Sequence, residues 1–383
     1  FMKFAHLGDC HLGGWKHPEL KELNLKSFQY AIDKCIKYKV DFVLVTGDLF
    51  DSAYPSIETL KDSFFEFRKL REANIPVFLI AGSHDYSASG KSFLDVLEQA
   101  GFCKNTANFT EKDGNIILEP TIFGNVALYG YPGKKSGLEI GEISKIKLQD
   151  SPGLFKILML HTAIRSAVPN QMIEAIDDSK LPKVDYLALS HLHINYSKEE
   201  KVYSGPIFPN NLQELEELKA GSFYIFNNGK ITREEIKIKE VFIISLEVKD
   251  AILATDAILQ KLSKENVKDK IVILKISGLL EKGKTTDINF NKIESIAREN
   301  GAYTLLKSTS KLHILESEIR FEQLSSDAIE SEIIKKFELT NKNKFNSLIP
   351  SLLKSLQVEK VEDERSMIFE ERLISEINKV IGI

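Results

Sequence analysis

No disulfide framework runs through this chain. Its three cysteines, Cys10, Cys35 and Cys103, are odd in number, scattered and without zinc-ligand spacing. They read as reduced, structural thiols. Long hydrophobic runs are also missing: none approaches the roughly 20 residues of a membrane span. The opening segment has no signal-peptide architecture, and Phe1 reads as a residue added ahead of the native start at Met2. The cytoplasm is therefore the expected compartment. Nor does charge of one sign dominate, since 51 Lys and Arg face 55 Asp and Glu for a net charge of −4. Any nucleic-acid contact must then be a local basic surface. What is present is ordinary for a soluble globular protein, 43% hydrophobic and 28% charged. At 383 residues the chain exceeds one ordinary core, and two or three domains are expected.

The chain is organised around Gly8-Asp9-Cys10-His11, which follows a short apolar strand, Lys3 to Leu7. With a two-residue period, Asp9 and His11 project to one side and Cys10 to the other. A carboxylate and an imidazole on one side of a strand end form half of a metal site. Strands and helices then alternate. Leu25, Phe28, Ile32, Cys35 and Ile36 mark an amphipathic helix, and Asp41 to Thr46 reads as a buried strand ending at Gly47-Asp48. Pro55-Ser56 opens a second helix to Asn74, and Ile75 to Ala81 is a strand ending at Gly82-Ser83-His84-Asp85. After a helix at Ser92 to Ala100 and a hairpin-rich stretch to Tyr131, Phe155 to Leu160 ends at His161. Val184 to Leu189 ends at Ser190-His191-Leu192-His193. Taken singly, each polar group would serve as a turn or cap residue. Five strand ends that all carry Asp or His point to one shared site, because ligands of α/β sheets bind beyond the carboxyl ends of the strands.

Asp9-x-His11, Gly47-Asp48, Gly82-Ser83-His84-Asp85, His161 and His191-x-His193 resemble, in order, the motifs of calcineurin-like dimetal phosphoesterases. Gly47-Asp48-Leu49-Phe50 and Tyr203-Ser204-Gly205-Pro206 are similar to the SbcD-type (meiotic recombination eleven) nucleases of double-strand-break repair, of archaeal type. The motifs cover about residues 3 to 235. The resemblance implies an α/β fold, a two-sheet β-sandwich flanked by helices in the αββα order of metallophosphoesterases. It further implies that Asp9, His11, Asp48 and His193 hold one divalent ion. Asp48 would bridge to a second ion held by His161, His191 and the residue at position 83. Mn2+ is the expected metal, and oxygen and nitrogen ligands suit it. His84 would position or protonate the leaving oxygen, with Asp85 orienting it.

The chain departs from the family pattern at three positions. Ser83 replaces the usual Asn, a better neutral ligand than a hydroxyl, so a weaker second ion is expected. Ser190 replaces a glycine, a small change. Asp51 stands where many relatives carry His, so the balance of exonuclease and endonuclease action is not carried over.

Gly221 to Phe226 and Ile231 to Lys239 complete the sheets of a phosphoesterase domain over residues 1–238. Phe242 to Val248, a helix at Ala251 to Lys264, Ile271 to Ile276, a helix at Asn289 to Asn300 and Tyr303 to Ser308 form a new α/β pattern over 239–315. By resemblance this is a DNA-capping domain; Lys261, Lys264, Lys268 and Lys270 are candidate phosphate contacts, against the ordinary reading of a lysine run as a solvated face. A charged linker and helix over 316–344, including Asn341-Lys342-Asn343-Lys344, precedes a helical segment over 345–383. There Leu348, Leu352, Leu353 and Leu356 mark one helix, and Phe369, Leu373, Ile377 and Val380 another. Their apolar faces have little local core to cover. The resemblance implies an SbcC-type, SMC-like coiled-coil ATPase as the partner. It also implies a homodimer through helices at Ser56 to Leu70 and Ser92 to Ala100, where Leu60, Phe64, Leu94 and Leu97 could face out or equally be core.

The expected function is that of a manganese-dependent DNA nuclease, a double-strand 3'–5' exonuclease and single-strand endonuclease, processing ends with that ATPase. Another dimetal phosphodiesterase or phosphatase is the enzyme alternative. A protein phosphatase is disfavoured because Leu49 to Pro55 lacks an Arg after Gly-Asp. The alternative from another class is a DNA-end-tethering adaptor whose nuclease is weakened by Ser83.

Overall fold

In the computed structural model, residues 2–86, 92–134, 139–169, 172–314, 346–356, 358 and 366–381 are described. The chain divides into two compact units, Phe1–Ile314 and Leu315–Ile383. In the first, β1 (Lys3–Leu7) leads to helix α1 (Pro18–Tyr38), β2 (Phe42–Thr46), helix α2 (Ile57–Glu72), β3 (Val77–Ile80), helix α3 (Phe93–Gln99) and β4 (Lys104–Asn105). Two hairpins follow, β5 (Phe109–Lys112) with β6 (Asn115–Leu118) and β7 (Thr121–Phe123) with β8 (Val126–Tyr131). Then come α4 (Glu139–Ile143), β9 (Ile146–Leu148), β10 (Phe155–His161), β11 (Tyr186–Ser190), β12 (Tyr196–Lys198) and β13 (Lys201–Tyr203). Helix α5 (Leu212–Leu218) connects to β14 (Gly221–Asn227) and β15 (Lys230–Ile236).

Two six-stranded sheets result, ordered β15-β14-β1-β2-β3-β4 and β12-β13-β11-β10-β8-β7. Phe4, Phe42, Leu44 and Phe226 of the first sheet interleave with Leu128, Ile157, Met159 and Tyr186 of the second to make the inner core. Phe4 stacks on Phe42 and Phe226 with centroids 5.0 and 4.8 Å away. The opposite face of the first sheet (Ala5, Leu7, Val43, Val45, Leu79) is covered by Phe28 and Ile32 of α1, Phe67 and Leu70 of α2, and Leu94 and Leu97 of α3. These strands are nearly continuous apolar runs because both of their faces are buried. The expected sandwich with flanking helices is the architecture observed. Over the outer face of the second sheet the cover is the small sheet β5-β6-β9 with the short α4.

Within the core strands β1-β2-β3 and β13-β11-β10-β8 all neighbours are parallel, so their carboxyl ends gather on one side of each sheet. Helix starts are ordinary: Pro18 opens α1, and Ser56 caps α2 by accepting from the Thr59 N–H. Of the two alternatives for the apolar stripe of α3, the core is the one observed: Leu94 and Leu97 lie 2% and 0% exposed. The outward apolar groups of these helices are Ile57, Phe65 and Val96. Periodicity identifies an apolar stripe without saying which face of it meets the sheet.

The remainder of the first unit is a parallel sheet, β16 (Glu240–Glu247), β17 (Lys270–Leu280) and β18 (Thr304–Ile314), with helices α6 (Ala251–Leu262) and α7 (Phe290–Glu299) and its own core. Val241, Ile271 and Ile273 pack against Leu20 and Leu23 of α1 and Phe208 and Leu215 near α5. Strands β17 and β18 run past the ends expected from the sequence. A register shift between Lys275 and Ser277, followed by Gly278 at φ 121°, interrupts the apolar pattern while pairing continues. In the second unit, helices Ile349–Leu356 and Ser366–Ile381 contact one another. The expected linker at Asn341-Lys342-Asn343-Lys344 lies outside the described residues. Among the described residues no helix is long and apolar enough to cross a membrane.

Candidate metal centre

Five strand ends meet at one place, and the backbone there is unusual. Asp9, His11, Asp48, His191 and His193 all have left-handed φ, at 47°, 43°, 50°, 97° and 46°. For residues other than glycine this costs on the order of 1 kcal/mol each and persists only where the surroundings impose it. Here they do. The Asp9 N–H donates to Gly47 O at 3.1 Å, the His11 N–H to Asp48 O at 2.9 Å, and the His191 N–H to both Asp9 carboxylate oxygens at 3.0 Å. Asp9 and His11 thus reach the same side by a left-handed turn beyond β1, not by strand alternation, while Cys10 enters the core. Two glycines are required by close approach. A Cβ on Gly47 (φ 99°) would lie 2.6 Å from His161 Nδ1, and one on Gly82 would lie 2.2 Å from Asp48 Oδ1.

Hydrogen bonds at Nδ1 orient four imidazoles. His11 donates to Asp51 Oδ1 at 3.1 Å, His161 to Thr46 O at 3.1 Å, His193 to Glu214 Oε1 at 3.0 Å and His84 to Asp51 O at 2.8 Å. With Nδ1–H committed in this tautomer, Nε2 carries the free lone pair. In His11 and His193 the Nε2 atoms face each other at 3.0 Å. His161 Nε2 is buried without a hydrogen bond, although it stands 3.2 Å from Asp48 Oδ2. Acceptors pointed at acceptors need a proton or a cation between them. Asp9, His11 and His193 form one compact ligand group, Asp9, Asp48 and His161 a second, and His11, Asp48 and His84 a third.

The charge balance says the same. Burial pulls the His161 imidazole down, yet Asp48 and Asp9 outweigh it and push the pKa up to about 9. Burial likewise opposes His193, but Asp9 and Glu214 raise it to about 9. For Asp48, burial is overcome by His161 and His11, which hold the carboxyl well below the usual range. His191 is pushed down to about 4 by burial and by the neighbouring His161. Without a metal, protons on His161 and His193 fill the role of cation.

Asp9, His11, Asp48, His161 and His193 are therefore brought together, as the sequence suggests. His191 and Ser83 lie at the edge of the cluster. The His191 ring stands 5.1 Å from that of His161, and Ser83 Oγ donates to Asp48 Oδ2 at 3.4 Å. His84 is exposed to solvent, its backbone N–H donating to Asp48 Oδ1 at 2.8 Å. The expectation that Asp85 orients His84 needs correcting. The buried Asp85 carboxylate accepts from the N–H groups of Gly82, Phe50 and Leu49, tying two strand ends together, and the Asp51 carbonyl orients His84 instead. Glu214 and Thr46 were not singled out from the sequence. Glu214 carried only a helix-start signal, three residues after the N-cap Asn211, and Thr46 acts through its backbone carbonyl, which no residue type reveals.

A calcineurin-like phosphoesterase model matches residues 2–195, half of the chain, including every one of these strand ends. The chain belongs to that family. Calcineurin-like phosphoesterases are metal-dependent hydrolases that work with two divalent ions, and this donor set of carboxylate oxygens and imidazole nitrogens suits them. The phosphoesterase is similar to proteins named DNA double-strand break repair protein Mre11. It is 24% identical to that of Archaeoglobus fulgidus over 95% of this chain and 82% of the relative. It is 26% identical to that of Methanococcus maripaludis over 88% and 92%, and 26% identical to that of Methanosarcina mazei over 79% of this chain but only 48% of the relative.

Proposed function

We propose that this phosphoesterase is a manganese-dependent DNA nuclease that trims double-stranded ends from the 3' side and cuts single strands during double-strand-break repair. The convergence of Asp9, His11, Asp48, His161 and His193, with their lone pairs turned on one another, carries the two-ion reading. The similarity to repair proteins along most of the chain supports the substrate. Asp9, His11, Asp48 and His193 would hold one ion, and Asp48, His161, His191 and Ser83 the other. When bound, the ions supply an activated water and charge stabilisation at the phosphodiester. His84, fixed at Nδ1 by the Asp51 carbonyl, turns Nε2 toward the centre and, in its doubly protonated form, would pass the Nε2 proton to the leaving oxygen and return to the neutral ring. Asp85 holds the loop that carries His84 and so acts as a positioning residue.

The division of labour along the chain is part of the same proposal. Residues 1–238 act as the nuclease domain, 239–315 as a DNA-capping domain, 316–344 as a linker and 345–383 as the segment that binds an SMC-like ATPase. Of the lysines expected to touch phosphate, Lys261 donates to the Ser245 carbonyl and Lys270 pairs with Glu240, which leaves Lys264 and Lys268 exposed. The exposed Leu356, Ile374 and Ile381 support a protein partner for the C-terminal helices. Deleting residues after Lys344 should abolish ATPase co-purification. The exposed Ile57, Phe65 and Val96 support dimerisation through α2 and α3, and monomeric behaviour in sedimentation would remove that claim.

The nuclease is tested by cleavage of end-labelled linear double-stranded DNA with Mn2+, Mg2+ or no metal, comparing wild type with His84→Gln. Metal-dependent cleavage that is lost in the variant is expected. The hydroxyl of Ser83, which donates to Asp48 Oδ2 at 3.4 Å, favours a second reading as an end-tethering adaptor. Absence of cleavage under every metal with DNA binding intact would select it.

A further inference from the structure

Two carboxylates outside the expected ligand set act on one half of the centre only. Asp51 Oδ1 accepts from His11 Nδ1 at 3.1 Å, and Glu214 Oε1 accepts from His193 Nδ1 at 3.0 Å. Asn210 joins them: its Nδ2 donates to Asp51 Oδ1 at 3.3 Å and its backbone N–H to Glu214 Oε2 at 2.8 Å. Little slack remains around this bridge, since a Cβ on Gly14 would lie 2.7 Å from Asn210 Oδ1 and 2.9 Å from Asp51. In the other half, the hydrogen-bond partners of His161 Nδ1 are neutral, the Thr46 carbonyl at 3.1 Å and Ser190 Oγ at 2.9 Å, with the nearest carboxylate oxygen, Asp9 Oδ1, farther off at 3.9 Å, and position 83 is a hydroxyl.

We infer that Asp51, Asn210 and Glu214 form a clamp that makes the Asp9–His11–His193 pocket the tighter of the two metal sites, so that the centre fills in a fixed order. The inference rests on the two-ion reading above. An anionic acceptor on Nδ1–H makes Nε2 a stronger donor to a cation and fixes the ring plane, whereas a carbonyl or hydroxyl does so less. Both imidazoles of one pocket have this backing, and the shared asparagine makes their orientations interdependent. Asp51, Asn210 and Glu214 are positioning residues, because they touch ligands and not the reacting atoms.

The test is a Mn2+ titration of the full chain, with free ion followed by electron paramagnetic resonance and folding checked by thermal melting. Wild type is expected to bind two ions in separable steps. Asp51→Asn and Glu214→Gln keep shape and remove charge, and each should weaken the tighter step ~10–100-fold while leaving the weaker one unchanged. Ser83→Asn should strengthen only the weaker step, which assigns the steps to pockets. Carboxylate variants that leave the tighter step intact, or that weaken only the weaker one, would overturn the clamp. Wild type that takes up fewer than two ions would overturn the two-ion reading instead. Each carboxylate is tested separately, so failure of one variant to fold leaves the other decisive.

Discussion

The two large sheets make unequal contributions to the centre they share. From the strand ends of the first sheet come Asp9, His11, Asp48 and His84; from the second come the imidazoles of His161, His191 and His193 and no carboxylate. The negative charge is thus concentrated on one side of the sandwich, and the groups that answer it are neutral donors or proton carriers on the other. Two of the three compact ligand groups, Asp9–His11–His193 and Asp9–Asp48–His161, draw on both sheets. The inner core of aromatic rings holds the sheets at fixed spacing, which sets the separation of these two half-sites.

Breaking the carboxylate side should have the largest effect. Asp48 stands between the sheets, 3.2 Å from His161 Nε2 and 3.7 Å from His11 Nε2. Asp48→Asn keeps its shape and removes the charge. We expect phosphodiester hydrolysis to fall by on the order of a thousandfold, ~4 kcal/mol of transition-state stabilisation, with bound metal per chain falling in parallel. His84→Gln should fall by ~10²–10⁴-fold with metal content unchanged, since a proton donor and not a ligand is removed. Loss of metal from that variant would instead favour the group His11–Asp48–His84 as a binding site.

The imidazole side is probed by pH. In metal-free protein His161 and His193 are raised to about 9, above the ordinary value near 6.5 that the unfolded chain shows. Their contribution to stability is present in full below about pH 6.5 and is lost as pH rises through about 9. Urea unfolding of metal-free protein should therefore show stability falling between those limits. Metal competes for the same lone pairs, so Mn2+ affinity should rise over the same interval and binding should release protons. Saturating metal at 100 times its dissociation constant should add ~2.7 kcal/mol and flatten the loss. The smallest change expected is at the margin of the second pocket. Ser83→Asn should strengthen one ion about tenfold, ~1.4 kcal/mol, in the same titration.

Most of this centre was legible because five of the chain's eight histidines sit at strand ends that share one local grammar, an apolar run followed by Gly, Asp or His. Parallel strands then force those ends together. What stayed hidden depended on backbone or on distant pairing. Strand periodicity put Asp9 and His11 on one side for the wrong reason, since the left-handed turn does that work. The sequence placed Asp85 beside His84, but its carboxylate is taken by three N–H groups, two of them more than thirty residues earlier. Glu214 reaches His193 across 21 residues, and nothing local to either announces the bond. Leu94 and Leu97 show the same limit in the fold: their spacing marks an apolar stripe, but only the packing shows that it faces the core.

The most direct test is a crystal structure of the Mn2+-soaked protein with anomalous scattering at the manganese edge. Two peaks about 4 Å apart on either side of Asp48, one against His11 and His193 and the other against His161, are the result expected of a two-ion centre. A single peak, or peaks bound by one sheet alone, would contradict the account that the two sheets are joined by the metals they share.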